Sequence, residues 1–546
     1  MSTTFTRRNL LQVTGLAALA GIAGVTLSSC APGGGAVTGG AVIGSSGLRL
    51  PTYRDSAVVE PALVSAHDGG MAAYLEYPAK AVQAVSKTPL AGSTVTAITY
   101  SFDPVAPGVN DNVIWQQVNE ALGGNLEIVY TPFGDYTQKF ATTIAGGALP
   151  DLVAIRPPVQ QLPALLNAKF TDLTEHLSGD AVLDYPNLAG LPTISWQETV
   201  INDRIWGVPM SRPPVGPPLI VRKDLFEEYS LSTSPKDFDE FKEIVVALTN
   251  DREGRWALGD FVGTHDLLRS THGIPGPWIE KKGAFTADYE LPEYEQSLAD
   301  VRELVELGVM HPDMVGSSNT QRNDWFLNGS APMAAVGFTG LSKFATWGKD
   351  IPNFAIEGML PFSYDGKVEP THLSAGVTPH FMAITKTDEK RVKELLRVLD
   401  WLAAPFGSTE YELRNFGIEG QTFDFVDGTP QVNSQGQSLK LVPFKYLTDA
   451  PQVIFNPVDP ADGERQFEYQ EQALELQGGD PTAGLYSEAD ATKSTQLTTK
   501  AGEARADIVL GRKPVSSWKE FVAYWKANGG DQIRKEYEKA FEKANS

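Results

Sequence analysis

Residues 94–100 read TVTAITY, a β-branched and aromatic run, and the SFDP that follows at 101–104 stops it, because Pro104 lacks the amide hydrogen a ladder needs. Residues 112–122 carry a helical pattern. Residues 126–130 (LEIVY) read as a second strand and residues 152–155 (LVAI), behind Pro150 and Asp151, as a third. Strands that alternate with helices predict an α/β fold with a mostly parallel sheet between helices. Ligands of such sheets sit beyond the carboxyl ends of the strands, which makes Phe102, Asp103 and Arg156 candidate binding residues.

Outward from this unit the helix signals strengthen. Ser234 and Pro235 read as N-cap and first residue of a helix whose apolar face is Phe238, Phe241, Ile244, Val245 and Leu248. Val392, Leu395, Leu396, Leu399 and Leu402 form a second such face. Ser517 to Glu520 reads as a capping box ahead of Phe521, Val522 and Trp525. These stripes are core faces, and no period of about 20–50 residues repeats along the chain.

The 546 residues, 42% of them hydrophobic, suit two large lobes. A net charge of −22 excludes nucleic acid as a partner, since phosphate contacts need concentrated Lys and Arg. Cys30 is the sole cysteine, so no disulfide within the chain is possible. It follows Leu27, Ser28 and Ser29 at the end of an apolar stretch that opens after Arg7 and Arg8. The first words resemble a twin-arginine export signal and the last a lipobox, so residues 1–29 are expected to be a signal peptide and Cys30 the lipidated residue, anchored to the cell membrane outside the cytoplasm. An uncleaved membrane anchor is the competing reading; Gly15, Gly21 and Gly24 weaken it. The Gly/Ser/Ala composition that follows, to about residue 47, is that of a flexible linker, and the extension to residue 92 has no clear pattern.

Catalytic and metal motifs are missing. The seven histidines show no helical metal spacing, and there is no nucleophile elbow, P-loop or dinucleotide fingerprint, so no metal and no cofactor are expected. Two carboxylates among the 67 acids are enough for a surface glycoside hydrolase or lyase, which stays open as the alternative function. Aromatics in Gly/Pro-rich words, among them Trp206-Gly207, Pro277-Trp278, Phe338-Thr339-Gly340 and Trp347-Gly348, suit the apolar faces of sugar rings, although each taken singly also suits a core.

Five words in order then resemble one family. Residues 202–209 (NDRIWGVP), followed by Arg212, are similar to D-G-K-x-Y-G-I-P. Residues 221–226 (VRKDLF) are similar to R-K-D-W-L, residues 328–333 (NGSAPM) to G-K-A-A-M, residues 416–420 (FGIEG) to Y-G-I-E-G, and the end from Trp518, with Gly529-Gly530-Asp531, to the family terminus. From about residue 94 the chain thus resembles the extracellular solute-binding lipoproteins of bacterial ABC importers, of the LipO-like and alginate-binding type.

The resemblance implies a two-lobe periplasmic-binding-protein fold of type II, closing by a hinge over an oligosaccharide, in a non-enzymatic monomer that delivers its ligand to ABC permease transmembrane subunits. Crossings are expected near residues 213–218, 372–379 and 425–430, giving lobe one 93–214 with 372–430 and lobe two 215–371 with 431–546. Family loops add Arg212, Trp278, Phe338, Thr339, His380 and Glu419 to the candidate binding residues, with Trp278 and Phe338 as stacking platforms. Relatives carry a calcium loop where residues 250–255 here read NDREGR; the arginines in place of oxygen ligands predict no calcium.

Overall fold

The computed structural model describes residues 37–38, 42–43, 47–102, 105–372, 380–439 and 442–545. Residues 1–29, Cys30, Asp103 and the crossing residues 373–379 lie outside the described residues.

Lobe one is built on the strand–helix unit of residues 94–155. The strand Thr94–Ser101 lies between Asn125–Pro132 and Leu152–Ile155 and runs parallel to both. Phe381–Ile384 joins antiparallel beside Leu152–Ile155, and Val208–Pro209 closes the five-stranded order. The helix Val113–Leu122 starts where the Asn112 side chain accepts from the amides of Ile114 and Trp115, and it stops at Gly123, whose φ of 71° favours glycine. A Cβ at Gly123 would lie 2.2 Å from Cγ2 of Thr88 and 2.8 Å from the Leu90 carbonyl, so the turn into the next strand leaves no room for a side chain. Leu152, Val153, Ala154 and Ile155 are all fully buried, as expected of a strand covered on both faces by helices, Glu389–Leu402 among them.

Lobe two departs from the expected parallel sheet. Its strand Leu219–Arg222 pairs antiparallel with both Met333–Ala335 and Ile356–Met359. The reason is the chain path: the first strand runs away from the crossing at 213–218, and the other two run back toward it. The apolar face predicted for 238–248 packs in this lobe, but the helix is Phe238–Leu248, capped by Asp237, which accepts from the Glu240 amide at 2.9 Å. Neither Ser234 nor Pro235 starts it. Ser517 does stand at the N-cap of the helix that begins at Trp518, but its hydroxyl donates to the Pro514 carbonyl at 2.7 Å and makes no capping bond.

The third crossing also moves. Val442, Phe444, Tyr446 and Leu447 pack in the core of lobe one, so that lobe extends past the expected break at 425–430, and the chain enters lobe two only at Val453–Phe455. The extension before residue 93 is packed from Leu48 onward. Leu48 and Leu50 enter the core of lobe one, and Met71 and Ala73 enter a cluster of lobe two. Among the described residues no helix is long and apolar enough to cross a membrane.

Candidate functional site

The carboxyl ends of the lobe-one strands bring together residues far apart in the chain. Tyr100, next to last in its strand, is fully buried, and its ring packs against Phe133, His380 and Tyr446 at centroid distances of 5.4, 5.3 and 5.3 Å. Just beyond, Phe102 stacks on Phe133 at 4.1 Å and keeps 57% of its surface exposed. The Arg156 guanidinium covers the Phe133 ring at 4.0 Å. Arg212 donates to the Tyr100 hydroxyl at 3.4 Å.

This arrangement assigns the protons. Burial, with Arg212 and Arg156 nearby, pulls His380 down to about 3, so its ring is neutral at pH 7. The Tyr100 hydroxyl touches both Nδ1 of His380 and the thioether of Met210, and the imidazole nitrogen is the far better acceptor. Tyr100 therefore donates to Nδ1, and Nε2 carries the hydrogen. That Nε2 is buried without a hydrogen-bond partner, as is Nε of Arg156. Buried donors of this kind are costly unless something accepts from them. Glu198 stands close by: burial pushes its carboxyl up to about 8, against the pull of a His380 backbone hydrogen bond and of Arg212.

A cavity of about 260 Å³ opens beside Glu198, between the lobes. Its lobe-one wall includes Pro157, Pro158 and Val200; its lobe-two wall includes Thr482, Tyr486, Asp490 and Tyr537. The walls touch, since the amide of Gln161 donates to Glu488 at 2.9 Å and the Tyr486 hydroxyl to the Val159 carbonyl at 3.2 Å. The strand-end cluster adjoins this space through Glu198, which lines the cavity and bonds the His380 backbone; two lobes with a space between them and unpaired donors beside it have the layout of a receptor cleft.

Residues 107–406, more than half of the chain, match the family described as bacterial extracellular solute-binding protein. The chain belongs to that family. This solute-binding protein is 25% identical over 450 residues, 79% of its length and 88% of the relative's, to the polygalacturonan/rhamnogalacturonan-binding protein YtcQ of Bacillus subtilis (strain 168). It is 21% identical over 448 residues, 77% and 87% of the two chains, to the lipoprotein LipO of the same organism. Its fold is similar to that of the alginate-binding protein AlgQ2 crystallised without calcium ion, with a TM-score of 0.62 at 14% identity over 85% of this chain and all of that one. The two-lobe type II architecture is thus that of solved solute-binding proteins.

Of the candidate residues, Phe102, Arg156, Arg212 and His380 converge on the strand-end cluster of this solute-binding protein. The two platforms do not. Phe338 is only 2% exposed, stacked on Tyr469 at 6.2 Å, and so is a core ring. Trp278 is half-buried against Phe285, Trp525 and Tyr537; it stands behind Tyr537, which lines the cleft, instead of lining it. Thr339 is exposed at the start of the helix Gly340–Gly348, and Glu419 is exposed near Glu412, whose carboxyl it helps to raise. Sequence reasoning missed Tyr100, Phe133, Glu198 and Tyr446. Tyr100 is the last aromatic of the first strand, a position whose signal was available.

Residues 250–255 fold into a short turn in which Arg255 donates to the Leu248 carbonyl at 2.9 Å and to the Tyr229 hydroxyl at 2.5 Å. Among the described residues no group of three His, Cys, Asp or Glu side chains is arranged to hold a metal ion.

Proposed function

We propose that this solute-binding protein captures an oligosaccharide containing uronate residues between its lobes and delivers it to the permease subunits of an ABC importer. The observation that carries this reading is the pair Arg156 and Arg212. In a chain of net charge −22, one guanidinium covers Phe133 of the stacked pair Phe102 and Phe133, the other reaches the hydroxyl of the adjacent Tyr100, and among the described residues neither makes an ion pair. A ring face suits the C–H side of a sugar, and a free guanidinium forks onto a carboxylate. The relative named for polygalacturonan and rhamnogalacturonan, both built on galacturonate, supports the same chemistry.

The lobes close on ligand about the crossings, and the protein acts as a monomer. The rival reading, a hydrolase or lyase, would use Glu198 and Asp490, both of which line the cleft with carboxyls raised by burial. Calorimetry with galacturonate oligosaccharides, followed by chromatography of the mixture, separates the two. Heat with intact ligand supports the receptor, and shorter products sink it.

The anchor belongs to the same reading. The twin arginines export the chain, and acyl groups on Cys30 hold it at the outer face of the cytoplasmic membrane, as the name of the lipoprotein relative supports. Cys30→Ala should leave the protein unprocessed or released, and Arg7 and Arg8 changed to lysine should block export. A processed Cys30→Ala protein that still partitions with membrane would rule the lipid out.

A further inference from the structure

Residues 48–92 precede the family match and span both lobes. At one end the Thr52 hydroxyl donates to Asp180 of lobe one at 2.7 Å. Further on, Ala72–Tyr74 adds a parallel strand to Val453–Phe455, the Met71 amide donates to Gln470 at 2.9 Å, and the Ser65 hydroxyl donates to Glu471 at 2.5 Å, which fixes the segment on the lobe-two helix Pro460–Leu476. Between these attachments lies a cavity of about 340 Å³, larger than the one beside Glu198 and within the ~300–1,000 Å³ range of small-ligand sites.

The lining has the chemistry of a sugar site. Tyr53 supplies a half-buried ring over a floor of the buried, mutually stacked Tyr74 and Phe406, Asp55 and Asp68 supply acceptors, and Arg212 supplies donors. Ser211, only 6% exposed, lines the same space, and its hydroxyl has no hydrogen-bond partner. At the rim Val64 is 73% exposed, an apolar surface without cover. Two carboxylates against one guanidinium disfavour a uronate here and favour neutral hydroxyls, which donate to carboxylates. Arg212 lies between the two spaces: it lines this cavity, donates to the Tyr100 hydroxyl of the strand-end cluster, and its charge acts on Glu198 of the cleft.

We propose that this cavity is a second sugar subsite, built by residues 53–74, which takes a neutral pyranose attached to the acidic oligosaccharide of the cleft. The proposal rests on the uronate reading of the cleft and adds what the family match does not contain. The extension then acts as a specificity element that selects chains of mixed composition.

Two substitutions at lining residues plug the cavity, Val64→Trp on the extension and Thr193→Trp on lobe one, each checked for an unchanged melting temperature. The probes are a galacturonate trisaccharide and the two tetrasaccharides that carry a neutral hexose at one end or the other. The parent should bind one tetrasaccharide at least tenfold more tightly than the trisaccharide. Either plug should abolish that difference and leave trisaccharide affinity within twofold. A parent that binds the trisaccharide and gains nothing from the neutral residue, or plugged proteins that keep the gain, would overturn the subsite alone. A parent that binds none of the probes would overturn the cleft reading together with it.

Discussion

The strand ends of lobe one and the glycine-flanked aromatics of lobe two both read as ligand positions in the sequence, and only the former keep an open ring face and unpaired donors. At the strand ends, Phe102 keeps an open face and Arg156 and His380 carry donors without partners. In lobe two, Phe338 is sealed against Tyr469, and Trp278 is wedged among Phe285, Trp525 and Tyr537. The difference is topological. Where strands of a sheet end together, no further main chain covers the next side chains, and polar groups are left facing the ligand space. A glycine beside an aromatic frees the backbone locally but says nothing about which way the ring turns.

The strongest contrast is expected at Phe338. Phe338→Ala should cost about 3–5 kcal/mol of folding stability, as for other large core rings, and shift ligand affinity by less than twofold in the fraction that folds. Urea unfolding and calorimetry on the same preparation test both halves. An open platform would show the opposite pair of results. Trp278→Ala, half-buried, should cost roughly 2 kcal/mol of stability, with only a small loss of affinity transmitted through Tyr537.

At the strand ends the effects should be reversed. Arg212→Ala and Arg156→Ala are each expected to weaken binding of a galacturonate oligosaccharide by about 1.5–3 kcal/mol, the worth of a charged hydrogen bond, while unfolding midpoints stay close to the parent's. Lysine at either position should recover only part of the loss, because it cannot fork onto a carboxylate. Equal affinity for parent and both alanine variants would remove the arginines from the site.

Much of lobe one was legible because it follows simple periods. The strands Thr94–Ser101 and Asn125–Pro132 and the helix Val113–Leu122 fall within one to two residues of their expected places, and Leu152–Ile155 matches at both ends. The carboxyl-end rule then delivered Phe102 and Arg156, and the family pattern delivered Arg212 and His380. Tyr446 and Glu198 escaped because nothing local marks them: one sits on a loop that returns to lobe one after the expected crossing, the other is one of 67 acids. Residues 48–92 were unreadable for a physical reason. Their strands are two or three residues long, too short for any period, and they are held by hydrogen bonds to distant residues such as Asp180, Gln470 and Glu471.

The finest discrimination between an electrostatic cleft and a packed one comes from Glu198. Its carboxyl rises from 4.5 in an unfolded chain to about 8 here, so the folded protein holds a proton that the unfolded chain releases. Its contribution to stability is therefore fullest below about pH 4.5, declines as pH rises through 8 and is flat above that, and Glu198→Gln should remove this decline. The same ionisation acts on the ligand. At pH 7 the carboxyl is mostly neutral, and Arg212 is free to pair with a uronate. By pH 9 a new carboxylate competes for Arg212 and repels the ligand, whose own charge does not change over that range. Affinity for a galacturonate oligosaccharide should fall by about 1 kcal/mol, roughly fivefold, between pH 7 and pH 9. In Glu198→Gln it should stay level, and a neutral oligosaccharide of equal length should show no such fall in either protein. A parent whose affinity holds steady across that range would mean that Glu198 does not share Arg212 with the ligand, and the arginine would then have to act through hydroxyls alone.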